Sequence, residues 1–510
     1  MNPPLHRDAP AWGASLPLFA LALVLLHTLY MCVDAATSGN HWVAMLYDDF
    51  FYYMKVAENW VDGHGSTFNR LVPTNGYHPL WMLVLAGAYA LLGGGVVLFY
   101  FVCAVCVVSA GFTFHFVRKL TQQQGVSPVW ASAVAVYITA FSLRHYVTGM
   151  EAILCLPLMF WFIHRVMDEE GLRSPAATLV TGLIGAAMVL SRLDAAVLVM
   201  VVVAAALLTP TVRQNLTPAG VVAAVLGLSP VAIYVATNVA WFGAFMPVSG
   251  MAKQLMPVGA PSSAVAEGIW SGAMNFRANV VFWLLAFGWA SLRWVLLTWR
   301  QRVLWAGMAF PLVYFTLLSF RSDWWLSDWY LYPVRVAVAC ALTLLLSWPR
   351  WQSLLSRKLV QLAGLTVAAV VLVFGTSWKV NPGQLAVYET AAALVEFEKT
   401  HPGIYAMGDR AGKVGYLMHS PVVQLEGLVM DKAYLAFMKR SAPLDEVLQH
   451  YKADYYVGSS HEAFGDCFTA VEPYQSGLRS PRVVGRFCER PMARFTFGGV
   501  ETLIYKVGRP

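Results

Sequence analysis

Long apolar runs separated by short polar turns fill the first three quarters of the chain. They lie at 14–35, 96–117, 127–146, 150–166, 175–191, 193–208, 217–240, 278–298, 303–320, 329–348 and 358–377. Each reads as a membrane-spanning helix, because about 20 apolar residues cross the hydrocarbon core. The run from His78 to Leu92 is shorter and reads as an interfacial or re-entrant helix. The stretch 48–62 has a different pattern. Phe50, Met54, Ala57 and Val61 form an apolar stripe, and Asp48, Tyr52, Lys55, Asn59 and Asp62 form a polar one. Spacings of three and four put each set on its own face of one helix. A two-faced helix beside a span is expected to lie along the membrane interface. Asp48 and Asp49 stand at its N-terminus, where the helix dipole favours anions.

From about residue 379 the spanning runs stop. Ile404–Gly408, Val422–Glu426, Tyr455–Ser459, Val483–Cys488, Arg494–Phe497 and Thr502–Val507 read as short strands, with helices near 411–418, 431–439 and 443–450. Alternating elements of this kind predict an α/β domain. The expected fold is a polytopic α-helical membrane protein of about eleven spans, residues 1–378, followed by an external α/β domain, residues 379–510.

Composition supports this division. Of the 510 residues 58% are hydrophobic and 12% charged, with mean hydropathy +0.57, too apolar for a soluble enzyme of this size. The net charge of +7 needs no nucleic-acid partner, since polytopic proteins concentrate Lys and Arg in cytoplasmic loops. Eleven spans with a cytoplasmic N-terminus place Arg118, Lys119, Arg165, Arg173, Arg213, Arg300, Arg302, Arg350, Arg357 and Lys358 inside. A spanning 78–92 would turn them all outward. The N-terminal run lacks a small-residue cleavage pattern and reads as a retained anchor. Cys32, Cys103, Cys106, Cys155 and Cys340 lie in apolar runs as packing residues. Cys467 and Cys488 lie in the polar tail and are candidates for a disulfide if the tail is outside the cytoplasm.

This topology gathers Asp48, Asp49, His64, His78, Arg144, His145, Glu151, Arg192, Asp194, Lys253, Arg321, Asp323 and Asp328 toward the outer side. Ionisable groups beside hydrocarbon are costly and tend to line cavities, so the set predicts one polar chamber facing the exterior. His78 precedes Pro79, which suits a helix start. Glu151 stands at an outer turn, as a cap or a chamber residue. Arg192 and Asp194 nearly touch in sequence, as an ion pair or with the guanidinium holding an anion. Lys253 lies in the long outer loop 241–277, and Asp328 lies among the aromatics of 324–330. With the tail outside, Gly408-Asp409-Arg410-Ala411-Gly412 does not read as a nucleotide loop.

Together these features resemble integral-membrane glycosyltransferases of the GT-C superfamily, and most nearly the bacterial polyprenyl-phosphate-dependent arabinofuranosyltransferases. Asp48-Asp49-Phe50-Phe51-Tyr52 is similar to their Asp-Asp-aromatic opening. Gly63-His64-Gly65 with Phe68-Asn69 resembles the segment that commonly follows. Gly149-Met150-Glu151, Ser191-Arg192-Leu193-Asp194 and Gly243 to Lys253 resemble three further turns, with Leu193 standing where Pro is usual and Pro247-Val248-Ser249 where Pro-Asn-Thr is usual.

The resemblance implies transfer of one sugar, arabinofuranose in those enzymes, from a polyprenyl-phosphate donor. The acceptor would be a glycan, a lipid or a pilin-like protein at the outer face of a bacterial inner membrane. Asp48 would act as base, with Asp49 either orienting the acceptor or binding a divalent cation, the one cofactor the resemblance admits. Arg192, Lys253 and His78 would hold the donor phosphate, and Glu151, Asp194, Tyr52 and Asp328 the substrates. Two rival functions share many of these features: a lipid-linked oligosaccharide ligase or polymerase, and a lipid or polysaccharide transporter. One-sided charges and the folded tail oppose the transporter, which needs a polar path near the midplane.

Overall fold

The computed structural model describes residues 12–508 apart from 170, 216, 258, 273–276, 460, 465–466 and 476. A helix occupies each of the eleven expected spans. Six helical stretches are long and apolar enough to cross a membrane unaided: Ser15–Thr37, Val96–Gln123, Pro218–Phe242, Trp299–Ser319, Trp329–Leu346 and Lys358–Gly375. The other five are Pro128–Tyr146, Ala152–Val166, Pro175–Ser191, Ala196–Leu207 and Arg277–Ser291. The chain is thus a multi-pass membrane protein.

Local chemistry marks where these helices start. Ser127, Ser174 and Thr217 each precede a proline at the first helical position, and their hydroxyls accept the N–H groups of Trp130, Ala177 and Gly220. The hydroxyl satisfies an orphan donor, and proline loses nothing where no N–H bond is due. Helices Pro175–Ser191 and Pro218–Phe242 cross at Gly182 and Gly227. A Cβ on Gly227 would lie 2.5 Å from the Leu179 carbonyl oxygen, so only glycine lets the backbones approach this closely.

The Pro79–Leu92 helix has 14 residues, about 21 Å of helix against a hydrocarbon core of about 30 Å. It packs on helix Asp48–Val61 and on Pro175–Ser191. Helix Asp48–Val61 is not two-faced in the expected sense. Phe50, Met54 and Ala57 are buried, but so are Asp48, Tyr52, Lys55 and Asn59. Four of the five residues of the polar stripe face protein, and only Asp62 at its end is exposed. Asn59 donates to the carbonyls of Thr67 and Phe68 at 2.9 and 3.1 Å and accepts from Arg70, while the C-terminal region covers the other end.

That region begins with helix Pro382–Glu398 and builds two sheets. The strands are β1 (Tyr405–Met407), β2 (Val422–Gln424), β3 (Tyr455–Gly458), β4 (His461–Phe464), β5 (Cys467–Glu472), β6 (Val483–Phe487), β7 (Ala493–Phe497) and β8 (Val500–Lys506). The larger sheet has the order β2-β1-β3-β8-β7 and the smaller β4-β5-β6. β1 pairs in parallel with β2 and β3, Tyr405 lying opposite Val422 and Tyr455. The parallel pairs are connected through helices Ala411–Leu417, Lys432–Lys439 and Leu444–His450, an α/β arrangement as expected. Helix Pro382–Glu398 and strands β4 and β5 were not anticipated. The helix follows the last span too closely to stand out from it. Cys467 and Cys488 form a disulfide with Cα atoms 4.2 Å apart, tying β5 to the end of β6. The other five cysteines are buried thiols.

Candidate active site

Residues 191–195 leave no room for a loop between two helices. Arg192 therefore ends one helix with extended backbone, φ −155° and ψ 109°, and its side chain turns into the protein, only 1% exposed. Nη1 pairs with Glu151, and Nε donates to both oxygens of Asp194 at 3.0 and 3.2 Å. The rings of Tyr330 and Tyr332 lie 4.9 and 4.6 Å from the guanidinium carbon. Glu151 accepts from the Tyr53 hydroxyl at 3.2 Å, and Asp194 from that of Tyr332 at 2.9 Å. Glu151 makes no side-chain cap on its own helix. His78 closes the cluster: its Nδ1 accepts the Leu193 N–H at 3.2 Å, and its Nε2 lies 3.7 Å from Glu151. Burial lowers the His78 pKa, so the ring is neutral and the cluster of one guanidinium and two carboxylates carries a net negative charge.

Beside this cluster opens a cavity of about 330 Å³. His78, Arg192, Asp194, Lys253 and Arg321 line it on one part, and Trp324, Trp325, Leu317 and Leu318 on another. Lys253 donates to the Tyr330 hydroxyl at 2.8 Å and lies 5.4 Å from the centre of the Trp324 ring. Burial lowers its pKa, but Tyr330, Asp49 and Glu426 outweigh that and raise it, so the ammonium stays charged. Among the described residues, no partner bonds Arg192 Nη2. The lining thus mixes the cations of Arg192, Lys253 and Arg321 and the carboxylate of Asp194 with apolar side chains.

The two adjacent carboxylates differ sharply. Asp48 is buried, and its oxygens accept the Lys413 and Gly412 N–H groups at 2.7 and 3.0 Å. Burial raises its pKa against those two bonds and the Lys413 charge. Asp49 is half-buried, and no bond to its carboxylate occurs among the described residues. Burial first, then the like charges of Asp48, Asp409 and Glu151, bring its pKa up to about 7, with Lys253 opposing. Tyr52 meets Gln424 of β2 through its hydroxyl at 3.4 Å and packs edge-on against Phe68. The Asp328 side chain lies outside the described residues, and its backbone opens the short turn Asp328–Leu331.

Not all of the outer ionisable residues converge. Arg144 lines a separate cavity of about 260 Å³ with Lys379 and Gln384, and Asp323 is bonded to the C-terminal region. Sequence reasoning missed acids supplied by that region. The charges of Asp409, Asp49 and Glu472 act on Glu426, whose pKa burial already lifts well above the ordinary carboxylate range. Glu472 accepts from Tyr456 at 2.9 Å and is pushed up to about 8, chiefly by burial. Gly408-Asp409-Arg410-Ala411-Gly412 drew notice only as a loop unlikely to bind a nucleotide, and no local signal tied Asp409 to residue 49. Among the described residues, no three His, Cys, Asp or Glu side chains converge as a metal cage, and no step below is routed through a metal.

No protein-family model and no curated protein sequence matches the chain. Its fold does match solved structures. ArnT from Cupriavidus metallidurans, in the apo state, superposes with a TM-score of 0.53 at 13% identity, over 97% of this chain and 98% of that one. The Archaeoglobus fulgidus oligosaccharyltransferase in the apo form gives 0.54 at 12%, over 88% and 70%. The archaeal oligosaccharyltransferase AglB from the same organism, in complex with an inhibitory peptide and a dolichol-phosphate, gives 0.52 at 11%, over 88% and 69%. The chain has a GT-C-like fold, a helical membrane part followed by an α/β region.

Proposed function

We propose that the protein is a membrane glycosyltransferase that moves one sugar from a polyprenyl-phosphate donor to an acceptor at the outer face of a bacterial inner membrane. One observation carries the reading. A cavity lined by Arg192, Lys253, Arg321 and apolar side chains shares Lys253 with the surroundings of Asp49, a half-buried carboxylate that burial pushes up to about 7. The cations suit a phosphate, the apolar side chains suit the start of a polyprenyl chain, and the carboxylate suits a base working near neutral pH.

The base in this reading is Asp49 rather than Asp48, because both Asp48 oxygens are held by backbone amides. The acceptor hydroxyl attacks the anomeric carbon as its proton passes to Asp49. The bond from that carbon to the phosphate oxygen breaks with inversion, and the phosphate leaves with the charge that forms on it. Lys253, Arg321 and Arg192 Nη2 stabilise that charge. Glu151 and Asp194 fix the Arg192 plane, and His78, neutral and bonded to Leu193, lines the cavity as a hydrogen-bond donor. Arabinofuranose is the sugar the motifs favour.

A second reading, transfer of a lipid-linked oligosaccharide, draws on the likeness to the oligosaccharyltransferase. Purified protein in nanodiscs, given polyprenyl-phosphate pentose and separately polyprenyl-pyrophosphate oligosaccharide, tests both. Release of polyprenyl phosphate from the first donor alone is expected. Consumption of only the second overturns single-sugar transfer, and consumption of neither overturns both.

A further inference from the structure

Two buried carboxylates take neither proton nor substrate in the chemistry above, and both are spent on the same object. Asp48 lies at the start of helix Asp48–Val61 and accepts the Gly412 and Lys413 N–H groups, at the first turn of helix Ala411–Leu417. Asp323 follows helix Trp299–Ser319 and is 2% exposed. It accepts the Arg479 and Ser480 N–H groups, the latter at 3.0 Å, and the Ser480 hydroxyl at 2.6 Å. Its own carbonyl takes the Gln475 side chain at 3.3 Å. Each acid comes from the membrane part, and each set of donors from the α/β region. The fit is close at the first contact, where a Cβ on Gly412 would collide with the Asp48 carbonyl oxygen. It is close again where Gly76 meets the α/β region, a Cβ there colliding with the Leu428 carbonyl oxygen.

We infer that Asp48 and Asp323 are positioning residues, a pair of latches that dock the α/β region over the active site. Charged acceptors for backbone N–H groups make strong bonds where water is excluded, and a buried carboxylate that loses them is left uncompensated. The docked region carries Asp409, whose charge acts on Asp49, and Glu426, on which the charges of Asp49 and Lys253 act. The latches therefore set where those acids stand against the base and against Lys253. This inference rests on the reading of the cavity as a transferase site, but its structural half is tested without substrate.

The test uses the full chain in nanodiscs, with hydrogen exchange followed at 409–418 and 475–481 and transfer kinetics measured in parallel. Asp48→Asn keeps the shape but turns a donor toward a donor. Gly412→Ala leaves the Asp48 carboxylate intact and blocks the approach. Asp323→Asn addresses the other contact, so the idea stays testable if one variant does not fold. Each variant is expected to raise exchange at its own segment roughly ten- to hundredfold. Asp48→Asn and Gly412→Ala should lose turnover to similar degrees, the double variant falling no further than either single one. Asp323→Asn should raise the acceptor KM more than it lowers kcat. Unchanged exchange at 409–418 in Asp48→Asn overturns the inference. So does a Gly412→Ala protein with full turnover beside an inactive Asp48→Asn. Altered exchange in a protein that transfers no sugar keeps the latches and removes only the transferase reading.

Discussion

At the scale of single residues the two neighbouring acids are the sharpest case. With Asp49 as the proposed base, Asp49→Asn should cut turnover by roughly 10²–10⁴-fold, the usual cost of a lost general base, while donor affinity, measured by titration, stays near that of the parent. Activity should depend on pH in the sense set by the raised pKa. The base must be ionised, so log kcat/KM should climb by about one per pH unit below about 7 and level off above it. The same shift acts on stability with the opposite sign. The folded protein holds a proton at Asp49 that the unfolded chain releases near 3.8, so this contribution is lost as pH rises from there through about 7. The sequence picked out the pair but could not separate its members. Adjacent residues on a helix point about 100° apart, and which of the two meets amide donors is decided at Gly412 and Lys413, more than 360 residues away. Arg192 was more legible, because Ser191-Arg192-Leu193-Asp194 leaves no loop in which to turn outward. Arg192→Met would bury Glu151 and Asp194 without their counter-ion. It should destabilise the protein by about 3–5 kcal/mol, read as lowered thermal unfolding in detergent.

Among the elements, hydropathy gave the spans because each helix must satisfy its own backbone in lipid. It gave less at helix Asp48–Val61, whose two-stripe pattern is real but whose polar stripe turned out to be covered. A periodicity reports two kinds of surface and does not say whether the polar one meets water, headgroups or another part of the chain. Nor does it find contacts such as Gly182 against Gly227, where the informative residue is small and sits in a run already apolar. Gly227→Ala should force those helices apart and destabilise by about 1–3 kcal/mol, against little effect from Gly87→Ala, where an added Cβ meets nothing within 4 Å. Thermal unfolding of the two variants side by side checks this.

For the whole molecule the charge pattern makes the strongest claim. A reporter placed after the last residue should be active only if it works outside the cytoplasm, and a cytoplasmic signal would reverse the orientation on which the outer-face site depends. The Cys467–Cys488 bridge belongs to the same claim, since such a bond persists in an oxidising compartment. Peptide mapping without reductant should recover the two cysteines as one linked pair. What could not be read at this scale was the acidic wall. Asp409 and Glu426 follow β1 and β2 and Glu472 ends β5, and only the fold of the α/β region brings these acids into one electrostatic neighbourhood with residue 49.

The bond between Asp48 and the amides of residues 412 and 413 also bears on biogenesis. A chain made from its N-terminus presents the first outer helix long before its partner has been synthesised, so for most of translation the Asp48 carboxylate must stay hydrated or be shielded by something else. A nascent chain arrested before residue 412 would hold all the cationic groups of the cavity and still lack a closed site. On the transferase reading, sugar transfer would begin only when synthesis has passed well into the α/β region, which would guard the lipid carrier against premature hydrolysis by a half-made enzyme.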